Sequence, residues 1–356
     1  MTNDNQKNYL GLNKHTCKIC GASGAFKTYL AKEMMQGTRK EFCYFVCADC
    51  ECMQIEEVPK DLFKYYGENY YSYAEPVITK CNSEGKQKYE YILDVGCGAG
   101  DWLCYIAQKG YKNLFGCDPF ISKDLEYPNG VKIKKATLHE VKGKFDVIRL
   151  ADSFEHMSDP LNVFLSIKRL LKKDGCCWLS IPVYPNIAFD LFGTHWYQLD
   201  PPRHLFLHSI KSIQYLARKS GLAVRAVEFD SNNSQFVRSR MYELDIPYYE
   251  QTPKKMMEHF SETDAKQFDL EAEQANRNQI GDHAIFYLVL GDETSNEEKN
   301  FIQDKQQILE LSDTVTEALK YLIAQSHSGK LEQNASMLND ILKAHILIRE
   351  KISSKF

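Results

Sequence analysis

The chain has 356 residues, of which 44% are apolar and 26% are charged, which are the proportions of an ordinary globular protein of one or two domains. Its net charge of −4 gives no electrostatic reason to expect a nucleic-acid partner. No apolar run is long enough to span a bilayer, and the first residues lack the apolar segment of a signal peptide, so the sequence predicts a cytoplasmic protein.

The cysteines are concentrated near the N-terminus: six of the twelve fall between Cys17 and Cys52. Two C-x-x-C pairs, 26 residues apart, are formed by Cys17, Cys20, Cys47 and Cys50. Two thiolate pairs at this spacing are typical of one tetrahedral, structural zinc ion with no open position for catalysis. Residues up to about 60 are expected to form short loops and turns around the pairs, and residues 1–80 are predicted to be a zinc-binding module.

Beyond Tyr89 the sequence alternates between short apolar strands and amphipathic helices. The predicted strands are 91–95, 113–118, 131–134, 145–150, 176–182, 222–229 and 284–290, and the predicted helices are 102–109, 160–172 and 209–219. This alternation predicts an α/β fold over residues 89–292, with a Rossmann-like, doubly wound, mostly parallel sheet of seven strands. Apolar residues at helical spacing predict a C-terminal helical hairpin over 298–356, which packs on the sheet or joins copies of the chain in a homo-oligomer.

The first strand of this region leads into the motif Asp94-Val95-Gly96-Cys97-Gly98-Ala99-Gly100. Its glycines allow a sharp turn and a close ligand, and the N-terminus of the next helix points at that ligand. Asp118, at the end of the second strand, is placed to accept both hydroxyls of a ribose. The spacing resembles that of class I S-adenosylmethionine-dependent methyltransferases. The resemblance implies an antiparallel late strand at 284–290, and a cofactor site in which Asp118 binds the ribose and the methionine part lies against Asp94, Gly96, Gly98 and Gly100.

A second motif, Asp152-Ser153-Phe154-Glu155-His156-Met157-Ser158-Asp159-Pro160, follows the fourth strand. In a purely structural interpretation Glu155 and His156 hold the loop, and Asp159 caps the next helix. The motif is also similar to one in ubiquinone-biosynthesis O-methyltransferases, which implies that Asp152, Glu155 and His156 bind a magnesium ion. The sequence leaves both interpretations open.

A third motif lies in the loop from Gly193 to Phe206, where Asp200-Pro201-Pro202-Arg203-His204 combines two stiffening prolines with charged and imidazole groups. It resembles the W-x-x-x-D-x-P-x-H loop of bacterial methyltransferases encoded with surface-polysaccharide genes, which often carry a zinc knuckle. A neutral histidine can remove the proton of an acceptor hydroxyl, so His204 is predicted to be the catalytic base. Asp200 orients that imidazole or holds a sugar hydroxyl, and the alternative is that His204 only braces the loop or the cofactor.

The sequence thus predicts a methyltransferase that O-methylates a sugar, nucleotide-linked or within a glycan, during surface-polysaccharide biosynthesis. Three alternatives stay open: C-methylation of a deoxysugar, metal-assisted O-methylation of a phenol, and a non-catalytic zinc-binding adaptor with a vestigial Rossmann domain. The intact glycine turn and Asp118 count against the adaptor. The sequence does not identify the methyl acceptor or the oligomeric state.

Overall fold

The structure, a computed structural model, describes residues 8–66 and 90–291. The described residues belong to one compact unit, and residues 292–356, which contain the predicted helical hairpin, lie outside them. Among the residues that the structure describes, no helix has both the length and the apolar character needed to cross a membrane. The predicted domain boundaries at residues 80, 89, 292 and 298 fall in or beside segments outside the described residues and stay predictions.

An antiparallel five-stranded sheet contains most of the described N-terminal segment. Its strands, in spatial order, are β1 (Tyr9–Thr16), β2 (Ser23–Lys32), β3 (Glu41–Val46), β4 (Met53–Ile55) and β11 (Phe206–Leu207). The expectation of short loops and turns up to residue 60 is therefore wrong. The cysteine pairs occupy the two turns, Cys17 and Cys20 after β1, Cys47 and Cys50 after β3, and the segments between them are long enough to pair as strands.

A larger, eight-stranded sheet follows. Its strands are β5 (Ile92–Val95), β6 (Leu114–Cys117), β7 (Leu125–Glu126), β8 (Lys132–Lys134), β9 (Phe145–Ala151), β10 (Leu171–Pro182), β12 (Leu222–Phe229) and β13 (His283–Leu290). Their spatial order is β12-β13-β10-β9-β5-β6-β8-β7, and β13 runs antiparallel to both of its neighbours, as predicted. The mostly parallel α/β architecture is confirmed. The predicted number of strands, seven, is one lower than the eight observed, because β7 has only two residues and so carries no periodic pattern.

Seven helices lie among the described residues: α1 (Asp101–Gln108), α2 (Pro160–Leu170), α3 (Ile187–Phe192), α4 (Ile210–Ser220), α5 (Ser234–Glu243), α6 (Pro253–His259) and α7 (Glu262–Arg277). The helices α1, α2 and α4 lie within two residues of the predicted bounds. The Asp159 side chain accepts from the Asn162 N–H and caps α2, and Gly221 ends α4 in the left-handed region. Helix α3 was not predicted because it has only six residues, and α5 to α7 were not predicted because their apolar residues are sparse.

The two sheets share one hydrophobic core. Phe206 and Leu207 of β11 pair with Gln54 and Met53 of β4, although β11 belongs to the loop after β10. His208, next along the chain, is fully buried and its ring stacks on that of Phe154 at 4.9 Å. The N-terminal sheet therefore packs directly against the loop that carries the predicted catalytic residues.

Candidate active site

The glycine turn between β5 and α1 has a backbone conformation that favours glycine. The φ angles of Gly96, Gly98 and Gly100 are +71°, +52° and +88°. A Cβ on Gly96 would lie 2.6 Å from Cβ of Ser153, and one on Gly100 would overlap Cδ1 of Ile133. A side chain at either position would collide with its neighbours as well as strain the backbone.

Asp118 lies beside this turn because β5 and β6 are parallel neighbours that end at the same edge. Its Oδ2 accepts from the Gly98 N–H at 3.0 Å, and its Oδ1 accepts from the Phe120 N–H at 2.8 Å. The side chain is buried. Two N–H donors hold the carboxylate in one orientation, and each oxygen keeps a further lone pair for a ligand.

Asp94, the last predicted cofactor residue, is also buried and carries a cationic partner. Arg149 of β9 donates from Nη1 to both carboxylate oxygens, at 3.0 and 3.2 Å, and its guanidinium stacks 4.4 Å from the ring centre of Trp102. Burial raises the pKa of Asp94 to about 6 against the opposing charge of Arg149. The structure thus brings the acid, the glycine turn and Asp118 together at the carboxyl edge of the sheet.

Asp200 and Arg203 form a buried pair in the loop before β11. The Arg203 guanidinium donates to both oxygens of Asp200, with Nε to Oδ2 at 2.8 Å, and to the carbonyl of Tyr65 at 2.8 Å. Burial alone would raise the pKa of Asp200, but Arg203 holds it below its ordinary value. Asp200 is therefore an ionised carboxylate that is bonded to arginine, rather than to the imidazole it was predicted to orient.

His204 is oriented by the backbone. Its Nδ1 lies 2.7 Å from the carbonyl of Gln198, which only an N–H can satisfy, so Nε2 carries the free lone pair. Nε2 lies 3.7 Å from Oδ2 of Asp200 and 3.8 Å from Oε1 of Glu155. Burial lowers the pKa of His204, so the ring is neutral at pH 7 and able to accept a proton.

Glu155 and His156 contact the same histidine. Candidate ligand atoms of Glu155, His156 and His204 all lie within 4.8 Å of one another. Burial, and then the neighbouring Asp152 carboxylate, raises the pKa of Glu155 well above its ordinary value, and neither of its oxygens has a hydrogen-bond partner among the described residues. Burial lowers the pKa of His156 to about 3. One carboxylate and two imidazoles suit a divalent transition metal better than magnesium, which prefers oxygen ligands.

Asp152, the third predicted magnesium ligand, is engaged elsewhere. Its Oδ1 lies 3.0 Å from Nε2 of His283, and Nδ1 of that ring lies 2.6 Å from Oδ1 of Asp230. Burial alone would lower the pKa of His283, but the two carboxylates raise it to about 10. The metal-ligand grouping among the described residues therefore includes His204 in place of Asp152.

A polar cavity of about 300 Å³ joins these groups at the carboxyl edge of the sheet. Its walls are formed by Met35, Asp152, Glu155, His156, Tyr197, Gln198, Asp200, His204, Asp230, Ser231, Asn232, Tyr242, Tyr248, Asp282 and His283. Met35 comes from the N-terminal sheet region and is the one aliphatic side chain of this set. Both predicted catalytic residues line the cavity, so it is the candidate acceptor site.

The four predicted zinc ligands converge between the turns of the N-terminal sheet. Sγ of Cys17 lies 3.5 Å from Sγ of Cys50, and Sγ of Cys20 lies 3.5 Å from Sγ of Cys47. The amide of Gln54 donates to Sγ of Cys17 at 3.1 Å. The hydrogen bond from Cys50, followed by smaller bonds, lowers the pKa of Cys17 to about 4. Four sulfurs within 4.8 Å of one another, one of them favoured as thiolate, fit a tetrahedral zinc ion.

Comparison with known proteins agrees with this geometry. Residues 66–227 match the methyltransferase domain family. The chain is 31% identical over 182 residues to a ubiquinone biosynthesis O-methyltransferase of Pseudomonas aeruginosa, which is 46% of this chain and 78% of the relative. The chain belongs to the S-adenosylmethionine-dependent methyltransferase family.

Other relatives of this methyltransferase match over shorter regions. A ubiquinone biosynthesis O-methyltransferase of Haemophilus ducreyi is 36% identical over 119 residues, covering 29% of this chain and 49% of the relative. The (S)-coclaurine N-methyltransferase of Thalictrum flavum subsp. glaucum is 28% identical over 121 residues, covering 31% of this chain and 32% of the relative. The chain thus spans half the length of these two relatives or less. Because the names include both O- and N-methylation, they do not identify the acceptor atom used here.

Three charged residues of the methyltransferase site were not predicted. Arg149 interrupts an apolar strand, which is a sequence signal for a buried ionic partner. Arg203 stands beside the predicted base, where it could have been suspected as the partner of Asp200. His283 is 131 residues from Asp152, and nothing local to either residue links them.

Proposed function

We propose that this methyltransferase transfers the methyl group of S-adenosylmethionine to a hydroxyl of a sugar, nucleotide-linked or within a glycan, in surface-polysaccharide biosynthesis. The observation that carries the proposal is His204, a buried neutral imidazole whose free Nε2 faces a polar cavity. Carboxylates, amides and hydroxyls dominate the walls of that cavity, and such groups recognise a polyhydroxylated ligand. The Asp200–His204 loop resembles the corresponding loop of methyltransferases encoded with surface-polysaccharide genes, and this resemblance supports a role in surface-polysaccharide biosynthesis.

The residues proposed to hold the cofactor are Asp94, Gly96, Gly98, Gly100 and Asp118. The backbone turn leaves no room for a side chain at Gly96 or Gly100, and Asp118 offers a fixed carboxylate to ribose hydroxyls. When bound, S-adenosylmethionine supplies a methyl group on a positively charged sulfur, which a hydroxyl oxygen can displace in line.

His204 then acts on the acceptor. As the hydroxyl oxygen attacks, Nε2 takes its proton, and the hydrogen bond that Nδ1 donates to the Gln198 carbonyl keeps Nε2 aimed at the cavity. The resulting imidazolium lies 3.7 Å from the ionised carboxylate of Asp200, which stabilises its charge. Asp200 stays ionised throughout because Arg203 is bonded to it.

The test measures methyl transfer from radiolabelled S-adenosylmethionine to a panel of nucleotide-linked hexoses, with catechol as a phenolic comparison. The variant His204→Ala is expected to lower kcat by about 10²-fold or more while cofactor affinity, measured by calorimetry, stays unchanged. His195→Ala is the matched control, because His195 lies in the same loop region and outside the cavity wall. Unaltered turnover of His204→Ala, or transfer to catechol alone, contradicts the proposal.

The pH dependence gives a second test of the base. Since burial lowers the pKa of His204 from its ordinary value of about 6.5, the acidic fall in kcat is expected below that pH. An activity that instead rises only above pH 8 would require a different base.

A second candidate function is metal-assisted O-methylation of a phenol, which the grouping of Glu155, His156 and His204 favours. In that case His204 is a metal ligand instead of a base. Loss of turnover in EDTA and recovery with a divalent ion would support it, whereas turnover that resists EDTA supports the sugar proposal.

The Cys17, Cys20, Cys47 and Cys50 group is proposed to hold a structural zinc ion, which stabilises the N-terminal sheet and through it the catalytic loop. The proposed domains are the zinc module 1–80, the methyltransferase domain 89–292 and the helical hairpin 298–356. Assembly through that hairpin stays a prediction, because it lies outside the described residues.

A further inference from the structure

A bridge of three side chains crosses the candidate acceptor site. Asp152 follows β9, Asp230 follows β12 and His283 begins β13, so the bridge joins three strand ends. The His283 ring lies between the carboxylates, with Nε2 at 3.0 Å from Asp152 and Nδ1 at 2.6 Å from Asp230. All three residues line the cavity.

The geometry requires a charged ring. Each ring nitrogen faces a carboxylate oxygen, which only accepts, so both nitrogens must donate and His283 is an imidazolium. With both N–H groups in use, His283 has no lone pair with which to act as a base. Its place between the acids instead lets two like charges stand at one site, which would otherwise repel each other.

Only one oxygen of each carboxylate accepts a hydrogen bond from the His283 ring. Oδ1 of Asp152 and Oδ1 of Asp230 accept from His283, while within residues 8–66 and 90–291 the Oδ2 atoms have no hydrogen-bond partner. The two carboxylates are partly exposed, at 56% and 42% of their side-chain surface, whereas the imidazole is 14% exposed. The bridge therefore presents acceptor atoms to the cavity and keeps the cation behind them.

The backbone at Asp152 is strained in a way that suits this arrangement. Its φ angle is +47°, in the left-handed region that non-glycine residues rarely occupy. Such conformations persist where the surrounding structure requires a side chain to point in one direction.

A second observation indicates that the cavity holds a polar ligand. Glu155 lines the same cavity, is fully buried, and has two carboxyl oxygens with no partner in the described part of the chain. A buried polar group without a partner is costly unless a ligand satisfies it. The remaining wall includes Ser231, Asn232 and Gln198, and its aliphatic part is Met35 alone.

We propose that Asp152 and Asp230, held by His283, are the hydroxyl-recognition pair of the acceptor site, and that the acceptor is an uncharged polyhydroxylated ring. This inference rests on the proposed function and deepens it. The two carboxylates and one imidazolium carry a net charge of −1, so the pair accepts hydrogen bonds from neighbouring hydroxyls and repels an anionic ring such as a uronate. His283 is a positioning residue that does not touch the reacting atoms.

The test uses the full chain and defined probes. These are the neutral methyl hexopyranosides of glucose, galactose and mannose, the matched methyl hexopyranosiduronates, and catechol. Saturation-transfer NMR measures binding, and radiolabelled S-adenosylmethionine measures turnover. Wild-type protein is expected to bind and methylate at least one neutral hexopyranoside, with kcat/KM for its uronate lower by about tenfold or more.

Two variants test the bridge itself. Asp230→Asn, which keeps the shape of the side chain, and His283→Gln are each expected to raise KM for the neutral probe about tenfold, with kcat changed less than threefold. Glu228→Gln is the matched control, because Glu228 lies two residues away on β12, bonds to Tyr287 and does not line the cavity. Calorimetry of cofactor binding and thermal melts show whether the variants are folded.

The outcomes separate this inference from the function on which it rests. A neutral hexopyranoside that is methylated with the same KM by wild type, Asp230→Asn and His283→Gln overturns the recognition pair and leaves sugar methylation standing. Equal use of the uronate does the same. Methylation of catechol alone overturns both, whereas no binding of any neutral hexopyranoside to the wild-type protein overturns the recognition pair.

Discussion

Replacing His208 with glutamine should make the protein less sensitive to acid. His208 is fully buried where the two sheets meet, with Phe154 stacked on its ring and Nδ1 3.1 Å from the hydroxyl of Ser212. Its Nε2 has no partner among the described residues, so the site has nothing to accept a second proton from the ring. Burial lowers the pKa of His208 to about 3.

The magnitude follows from linkage between protonation and folding. The native state keeps His208 neutral down to about pH 3, whereas the unfolded chain takes up a proton below about pH 6.5. The unfolded state thus binds more protons in this window, and stability falls as the pH falls. For each pH unit below 6.5, His208 lowers the free energy of unfolding by about 1.4 kcal/mol. Over the roughly 1.5 units down to pH 5 this amounts to about 2 kcal/mol.

The assay is urea unfolding at pH 7.5, 6 and 5, followed by tryptophan fluorescence. Between pH 7.5 and 5 the free energy of unfolding of His208→Gln should fall by about 2 kcal/mol less than that of wild type, whatever the variant loses at pH 7.5. The difference isolates His208, since both proteins carry the other titrating groups. Ser212→Ala is the control, because it removes the partner of Nδ1 and keeps the histidine. Parallel pH profiles for wild type and His208→Gln would refute the reasoning.

Three further predictions concern the cofactor, the metal and the catalytic loop. Two variants should each abolish S-adenosylmethionine binding: Gly98→Val, which places a branched side chain at a φ of +52°, and Asp118→Ala, which removes the acceptor of the Gly98 N–H. Wild-type affinity of both variants by calorimetry would argue against the assigned site. The double variant Cys17→Ser/Cys50→Ser should lose one zinc ion per chain in metal analysis and become protease-sensitive at its N-terminus, and full retention would mean other ligands. Tyr44→Phe removes a 2.8 Å bond to the His204 carbonyl and should lower stability by about 1–3 kcal/mol in urea unfolding; a smaller change would show that the carbonyl finds another donor.

The parallel part of the fold was predictable because its signals are local. A buried strand, a glycine turn and a helix follow one another from Ile92 to Gln108, and each is recognisable within a few residues. The cysteine pairs were likewise visible as spacing. The strands beside those pairs were not, since β1, which precedes Cys17, has no buried residue and its pairing with β2 is set by the turn at Cys17 and Cys20.

The candidate site was predictable only where one segment supplies both partners. His204 and Asp200 lie on one loop and both line the cavity. The bonds that decide their chemistry lie within the same loop but depend on how it folds: Arg203 donates to Asp200, and the Gln198 carbonyl orients His204. The bridge from Asp152 to His283 spans 131 residues, so only the strand order places the two side by side.

The position of β11 in the N-terminal sheet has a consequence for the synthesis of the chain. The sheet lacks its last strand until Phe206 has been made, 151 residues after Ile55 at the end of β4. At roughly 5–20 residues per second this takes roughly 8–30 s, during which β4 is paired with β3 on one side only and its other edge is open. All four cysteines of the metal group precede residue 51, so a metal ion can join the two turns early and keep the half-finished sheet together. Translation speed and the supply of the proposed zinc ion should therefore affect the yield of folded protein. We expect this effect to be stronger than for a methyltransferase domain that lacks the N-terminal sheet.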